Sequence, residues 1–232
     1  MPPIMPPFIR SLATIGLGTE ILYSFFIIVC SLMIYYGTKE LYELSSYKGI
    51  KYFRQAFLFF AIAYFFRSFI KFVLLYFNVR EIREFSPMVF GNLTLFIFMY
   101  FSSLAIFYLL YGVMWKKWNG NSNKIYIFHG LALIISLISV HYRNSLIYLG
   151  LNILLFCFVI FSVYTSYKNS KTKFKGHSLY AIYVLLLLFW ILNIIDILIP
   201  DFFQTFQLFL YLASSGIFLL ILYKVIKKIG SN

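Results

Sequence analysis

Seven long apolar segments dominate the chain, and they constrain its fold more than any other feature. A helix needs about 20 predominantly apolar residues to cross roughly 30 Å of hydrocarbon. The segments that meet this length are residues 17–36, 54–77, 88–113, 125–141, 144–166, 178–199 and 202–226. They predict an all-α, polytopic integral membrane protein whose residues 1–232 form a single membrane domain, a bundle of seven transmembrane helices.

The composition excludes a water-soluble fold. Hydrophobic residues make up 62% of the 232 residues and charged residues only 12%, with a mean hydropathy of +0.87, whereas soluble domains carry about 25% charged residues. Lipid is therefore the expected solvent. The least certain boundary is that between the fourth and fifth segments, which only Tyr142 and Arg143 separate. A single span over both segments would be too long for tilt to absorb.

The basic residues predict the orientation of the bundle. Of the twenty lysines and arginines, fourteen fall on one side of the seven segments and four on the other, while Arg67 and Lys71 lie within the second segment. Cytoplasmic loops of membrane proteins are enriched in lysine and arginine. We therefore expect an external N-terminus, a cytoplasmic C-terminus and a location in the cell membrane. The net charge of +13 then points to anionic lipid headgroups as partners near the cytoplasmic loops, and not to nucleic acid.

Several polar side chains lie where the membrane makes them costly. Arg67 falls near the middle of the second span, with Lys71 one turn further out, and ionisable groups at this depth usually face the protein interior and have a partner. The sixth span offers Asp196 as the natural counter-charge, and Glu20 at the outer end of the first span is the other candidate. The complete predicted set is Glu20, Arg67, Lys71, Asn193, Asp196, Gln204, Gln207 and Tyr211. It predicts either a ligand-binding polar pocket open to the outside or a structural network that joins the helices.

No catalytic, metal or cofactor motif is present in the sequence. It has no GxSxG, no His-Glu-x-x-His and no glycine-rich phosphate loop. His129 and His141 are about 18 Å apart along one helix, too far to share a metal. Cys30 and Cys157 both lie inside spans, where we expect small packing residues and not a disulfide. We therefore predict no catalytic residues, no metal and no cofactor.

Three classes of function stay open from the sequence. A seven-helix sensor or receptor-like module suits an external pocket, and its signal would pass to a separate cytoplasmic output protein. The alternative is a small-solute transporter, because matches at an offset of 127 residues, such as Cys30 with Cys157, suggest a three-one-three helix arrangement. That plan resembles the sugar-transporting SWEET family, although SWEET helices carry prolines within the membrane and these spans do not. The second alternative is a lipid-modifying membrane enzyme, and association into a homo-oligomer is compatible with each class.

Overall fold

Seven α-helices make up the computed structural model of the protein. It describes residues 7–76, 87–115, 117–118, 123–142, 144–171, 177–198 and 204–229. In chain order the helices are α1 (Pro7–Ser45), α2 (Lys48–Tyr76), α3 (Pro87–Met114), α4 (Asn123–Tyr142), α5 (Ser145–Lys171), α6 (His177–Leu198) and α7 (Gln204–Ile229). The predicted all-α fold is confirmed. Each predicted span coincides with one helix, and α1 extends well beyond its predicted span at both ends.

Six of these helices are long and apolar enough to cross a membrane, so the chain is a multi-pass helical membrane protein. The exception is α2, whose side chains are described only as far as Phe69. Its 29 residues would span about 44 Å, so its length is sufficient, and over the described side chains Arg54, Gln55 and Arg67 lower its hydropathy. A count of seven membrane spans therefore stays a prediction, and it depends on α2.

The helix ends follow from local chemistry. Pro7 and Pro87 are the first residues of α1 and α3, a position where the missing N–H of proline costs nothing. Ser46 ends α1 with a positive φ of 49°, and its N–H donates to the carbonyl of Tyr42 over 2.8 Å. Asn144 caps α5, because its Oδ1 accepts the N–H of Leu146 over 2.8 Å. This cap separates α4 from α5 at the predicted tight turn.

Six helices pack as a closed ring, and the seventh lies outside it. Going around the ring, each helix packs against the next in the order α1, α2, α3, α5, α6, α7 and back to α1. Outside the ring, α4 packs mainly against α3 and makes a smaller contact with α5. The first three helices and the last three thus occupy equivalent positions in the ring, and α4 connects the two sets.

Aromatic side chains fill the middle of this ring. Phe57 and Phe60 of α2 meet Phe189 of α6 and Phe218 of α7, with ring centroids between 4.6 and 6.4 Å apart. All four rings are buried, and we call them the aromatic layer. Side chains of α2 therefore reach across the ring to helices that are not its neighbours along the chain. Helix α2, which carries Arg67, therefore also packs into the centre of the protein.

A second aromatic cluster lies at one end of the bundle, which we call the Lys48 end. Tyr52 of α2 packs edge-on against Tyr111 of α3 at 4.5 Å and also contacts Trp115 at 5.3 Å. The ammonium group of Lys48 lies 5.2 Å from the ring centre of Trp115, and that of Lys124 lies 5.0 Å from Trp118. Cation–π contacts of this kind hold both lysines beside the end of α3.

The same end depends on a close approach of α2 and α3 at two glycines. A Cβ atom on Gly49 would lie 2.8 Å from the carbonyl oxygen of Gly112 and would also collide with the ring of Tyr47. A Cβ on Gly112 would lie 3.1 Å from the carbonyl oxygen of Gly49. Small residues allow membrane helices to approach this closely.

We expect Gly49→Ala to destabilise the protein by about 1–3 kcal/mol, because the backbones of α2 and α3 must move apart. Gly130→Ala is the matched control, since a Cβ at Gly130 meets nothing within 4 Å, and a helical alanine gains about 0.5–1 kcal/mol over glycine. Thermal melting of the detergent-solubilised variants measures both effects. Equal melting temperatures for the two variants would show that the glycine contact is unimportant.

Candidate functional site

An ion pair joins α1 and α2 at the end of the bundle opposite Lys48, which we call the Glu20 end. The Arg67 guanidinium donates from Nη2 to Oε1 of Glu20 over 2.6 Å and from Nε to the same oxygen over 3.0 Å. The Arg67 side chain is 20% exposed and that of Glu20 14%, whereas the ion pair of Lys39 with Glu43 has both side chains about 60% exposed. The Glu20–Arg67 pair is therefore largely removed from the surrounding solvent or lipid.

A chain of hydrogen bonds runs across the ring one turn deeper than the ion pair. The Tyr64 hydroxyl donates to Oδ1 of Asn193 on α6 over 3.2 Å, and it lies 3.4 Å from the hydroxyl of Tyr23 on α1. Since the Tyr64 proton goes to Asn193, Tyr23 is the donor to Tyr64. The Tyr23 ring also stacks on Tyr211 of α7, with centroids 4.7 Å apart. We call Glu20, Tyr23, Tyr64, Arg67, Asn193 and Tyr211 the polar cluster.

Aromatic faces hold the guanidinium of Arg67 in place. Its Cζ lies 5.3 Å from the ring centre of Phe98 on α3 and 5.9 Å from that of Tyr64. Arginine stacks readily on aromatic rings because its planar cation is weakly hydrated. The two rings therefore lie beside the same guanidinium that donates to Glu20.

Two further helices contribute to the surroundings of the cluster. Asp196 of α6 acts electrostatically on Tyr148 of α5 and on Tyr211. Trp190, one turn from Asn193 on α6, donates its indole N–H to the backbone carbonyl of Asn152 over 3.3 Å. The Asn152 side chain in turn donates to the carbonyl of Tyr148 over 2.8 Å. Side chains from α1, α2, α3, α5, α6 and α7 therefore surround the site.

The structure brings together four residues of the predicted site, namely Glu20, Arg67, Asn193 and Tyr211. Arg67 pairs with Glu20, although the sequence favoured Asp196 as its natural counter-charge. The reason is the ring: α1 is the direct neighbour of α2, whereas α6 faces it across the interior. Gln207 lies one turn from Tyr211 and is partly buried. The side chains of Lys71 and Gln204 fall outside the described part of the chain.

Sequence reasoning missed Tyr23, Phe98 and Tyr148. Tyr23 follows Glu20 by three residues, so it lies on the same helix face, and that spacing could have revealed it. Phe98 and Tyr148 are single aromatic residues in segments rich in aromatic residues. Their place near Arg67 depends on how α3 and α5 pack, which no spacing within one helix reveals.

A second polar group joins α4 to the ring, away from the polar cluster. The two ring nitrogens of His129 each meet a tyrosine hydroxyl of α3, Nδ1 with Tyr100 at 2.9 Å and Nε2 with Tyr108 at 3.0 Å. A neutral imidazole donates from one nitrogen and accepts at the other, so one tyrosine accepts and the other donates. His129 thus links α4 to α3. Within the described residues no group of three or more His, Cys, Asp or Glu side chains is arranged to hold a metal.

The two cysteines differ in their surroundings. Cys30 is buried in α1, as expected for a packing residue, whereas Cys157 lies exposed on α5. Both are free thiols. Cys157 is therefore not a packing residue within this chain, because its face of α5 points outward from the ring.

The carboxylate and the guanidinium of the polar cluster neutralise each other. The ion pair connects α1 to α2. A ligand that supplies its own anion or cation would compete with one of the two partners. The Tyr23–Tyr64–Asn193 chain offers further hydrogen-bonding groups beside it. Among the described residues, the cluster brings together no nucleophile with a base.

A comparison with known proteins gives the family of the chain. It is 30% identical over 237 residues to an uncharacterized protein of Archaeoglobus fulgidus, and the similarity covers 98% of this chain and 99% of the relative. The chain belongs to the same family as that protein. The near-complete coverage means that the whole bundle, and not one segment, is shared. No protein-family model matches the chain, and no solved structure matches it.

A double-mutant cycle with Glu20→Gln and Arg67→Gln tests the ion pair. Removing one partner of a fully buried pair costs about 3–5 kcal/mol, and partial exposure lowers the expected single-mutant cost to about 2 kcal/mol. The double variant should recover part of this loss, because neither charge is then left alone. Melting temperatures of the four proteins provide the measurement.

The exposed pair Lys39–Glu43 supplies the control for this cycle. Its coupling should be about 0.5 kcal/mol or less, as for other exposed pairs at i and i+4. If the two cycles gave the same small coupling, Arg67 and Glu20 would not depend on each other in the membrane.

Proposed function

We propose that the protein is a seven-span sensor of the cell membrane that binds a small polar ligand at its external end. In this proposal α2 is the seventh span, the N-terminus lies outside and the C-terminus lies in the cytoplasm. The Glu20 end then faces the exterior and the Lys48 end the cytoplasm. The fourteen-to-four distribution of basic residues supports this orientation.

The packing of α2 supports its role as a span despite its low hydropathy. Eight of its hydrophobic residues between positions 52 and 64 are buried, namely Tyr52, Phe53, Ala56, Phe57, Phe60, Ala61, Ala63 and Tyr64. A helix enclosed by other helices does not need an apolar surface on every side. Arg67 and Tyr64 find hydrogen-bond partners inside the protein.

The observation that carries the sensing proposal is the order of layers through the ring. The polar cluster lies at the Glu20 end, and directly beneath it the aromatic layer fills the interior with four buried phenylalanines. A ligand that enters from outside would reach the ion pair and then meet a closed apolar barrier. Binding could reposition α1, α2, α6 and α7 against one another, which suits signalling to a separate cytoplasmic output protein.

The chemistry of the Lys48 end agrees with its proposed place on the cytoplasmic side of the membrane. Lys48 and Lys124 lie on Trp115 and Trp118, and tryptophan is enriched where membrane meets water. We propose that these cations meet anionic lipid headgroups of the inner leaflet.

Reporter fusions test the orientation. Alkaline phosphatase fused after Asn232 should be inactive, because the enzyme matures only outside the cytoplasm, and a fluorescent protein at the same position should be bright. Phosphatase fused after Tyr142, at the end of α4, should be active. The reverse pattern would invert the bundle and move the polar cluster to the cytoplasmic side.

Cysteine labelling tests sensing against transport. In a Cys30→Ala, Cys157→Ala background, Asn193→Cys should react with a membrane-impermeant maleimide that is added from outside, and not with reagent added from inside. Phe60→Cys, in the aromatic layer, is the control and should react from neither side. A transporter that alternates its access would allow labelling of Asn193→Cys from both sides.

Transport is the second candidate because one observation favours it. The ring places α1–α3 and α5–α7 in equivalent positions with α4 outside, which agrees with the three-one-three arrangement expected of such a transporter. A lipid-modifying enzyme stays an alternative from the sequence, and the described helices bring together no set of residues that favours it.

A further inference from the structure

The hydrogen bonds of Arg67 point to the chemistry of the ligand. A guanidinium has five N–H donors, and Arg67 gives two of them, from Nε and Nη2, to a single oxygen of Glu20. A carboxylate that fits a guanidinium best takes one bond on each of its two oxygens. Among the described residues, Glu20 is the sole acceptor for Arg67. The ion pair therefore uses less than half of the donors that Arg67 offers.

The surroundings of Arg67 keep its unused donors available for an anion. The Cζ of Arg67 lies over the rings of Phe98 and Tyr64, and neither of these contacts is a hydrogen bond to an oxygen. The two hydroxyls and the amide of the Tyr23–Tyr64–Asn193 chain carry no charge. Glu20 is thus the anion on Arg67 that a ligand would have to replace, and Asp196 adds a second acidic side chain close to Tyr64 and Tyr211.

Glu20 is well placed to be replaced. Its side chain is 14% exposed, so the carboxylate keeps contact with the surroundings of the bundle. Arg67 is fixed by the two aromatic rings. An incoming group would therefore displace the carboxylate and leave the guanidinium where it is.

We propose that the polar cluster binds a small carboxylate, whose two oxygens take over Arg67 from Glu20. This inference rests on the proposed external ligand site and adds the class of ligand. In the protein without ligand, Glu20 then occupies Arg67 in place of the ligand and holds α1 against α2. Ligand binding exchanges one carboxylate for another on Arg67 and releases α1 from α2.

The inference makes an unusual prediction for Glu20→Gln. Because this change removes the competing carboxylate and keeps the shape of the side chain, the variant should bind carboxylates about tenfold more tightly than the wild type. Arg67→Lys keeps the charge but lacks the planar fork and should bind about tenfold more weakly. Arg67→Gln should show no binding. Thermal melts confirm that each variant is folded before binding is measured.

Isothermal titration on the full-length protein in nanodiscs provides the measurement. The probes are acetate and succinate, with the uncharged succinamide and the dication butane-1,4-diamine as matched controls. Tighter binding of succinate by Glu20→Gln, with no binding of succinamide, supports the inference. The Lys39→Gln variant, changed at an exposed ion pair, should match the wild type.

The other outcomes separate the ligand class from the proposed function. If the diamine binds and Glu20→Gln abolishes that binding, the ligand class is a cation, the carboxylate inference is overturned and the external site stands. If no probe binds although Asn193→Cys is labelled from outside, the carboxylate inference fails while the access of the site from outside stands. If no probe binds and Asn193→Cys is unlabelled, the inference and the proposed function both fail.

Discussion

The pairing of Arg67 with Glu20 is the constraint on which the rest of the bundle depends. An arginine near the middle of an apolar helix costs several kcal/mol in lipid unless the protein satisfies it. Here α1 supplies the carboxylate, and Phe98 and Tyr64 supply aromatic faces. These contacts require that α2 be enclosed by other helices and that its Arg67 face be turned towards α1. A cation that is costly in lipid thus fixes both the position and the rotation of α2.

The enclosure of α2 explains the remaining order of the interior. Once α2 packs into the ring, its side chains at successive turns meet α6 and α7 from the opposite side, as Phe57, Phe60 and Tyr64 do. The result is a polar end and an apolar middle within one ring. Helix α4 has no place in that interior, and its link to the ring includes the bonds of His129 to two tyrosines of α3. The binding site that we propose lies at the polar end, above the aromatic layer.

The positions of the helices along the chain could be predicted from the sequence, whereas the packing of one helix against another could not. In lipid each helix must satisfy its own backbone hydrogen bonds, so the length of an apolar run is enough to locate it, and Asn144 marks even the short gap between α4 and α5. The spacing within one helix likewise singled out Arg67 and Asn193. The partner of Arg67 depends on which helix lies beside α2, and the sequence offered both Asp196 and Glu20. Tyr23 and the tyrosines around His129 were missed for the same reason, since their hydrogen bonds join separate helices.

Solid-state NMR gives the most direct measurement of the central contact. Protein labelled with ¹³Cδ-glutamate and ¹⁵N-arginine, reconstituted in lipid, should show strong dipolar dephasing of one glutamate signal by a guanidinium nitrogen. An Nη2–Oε1 distance of 2.6 Å places the nuclei close enough for this effect. The account predicts that this dephased signal disappears in Glu20→Gln and that its dephasing is lost in Arg67→Lys. A Glu20 signal that is not dephased in the wild-type protein would contradict the account, because Arg67 would then be satisfied in some other way.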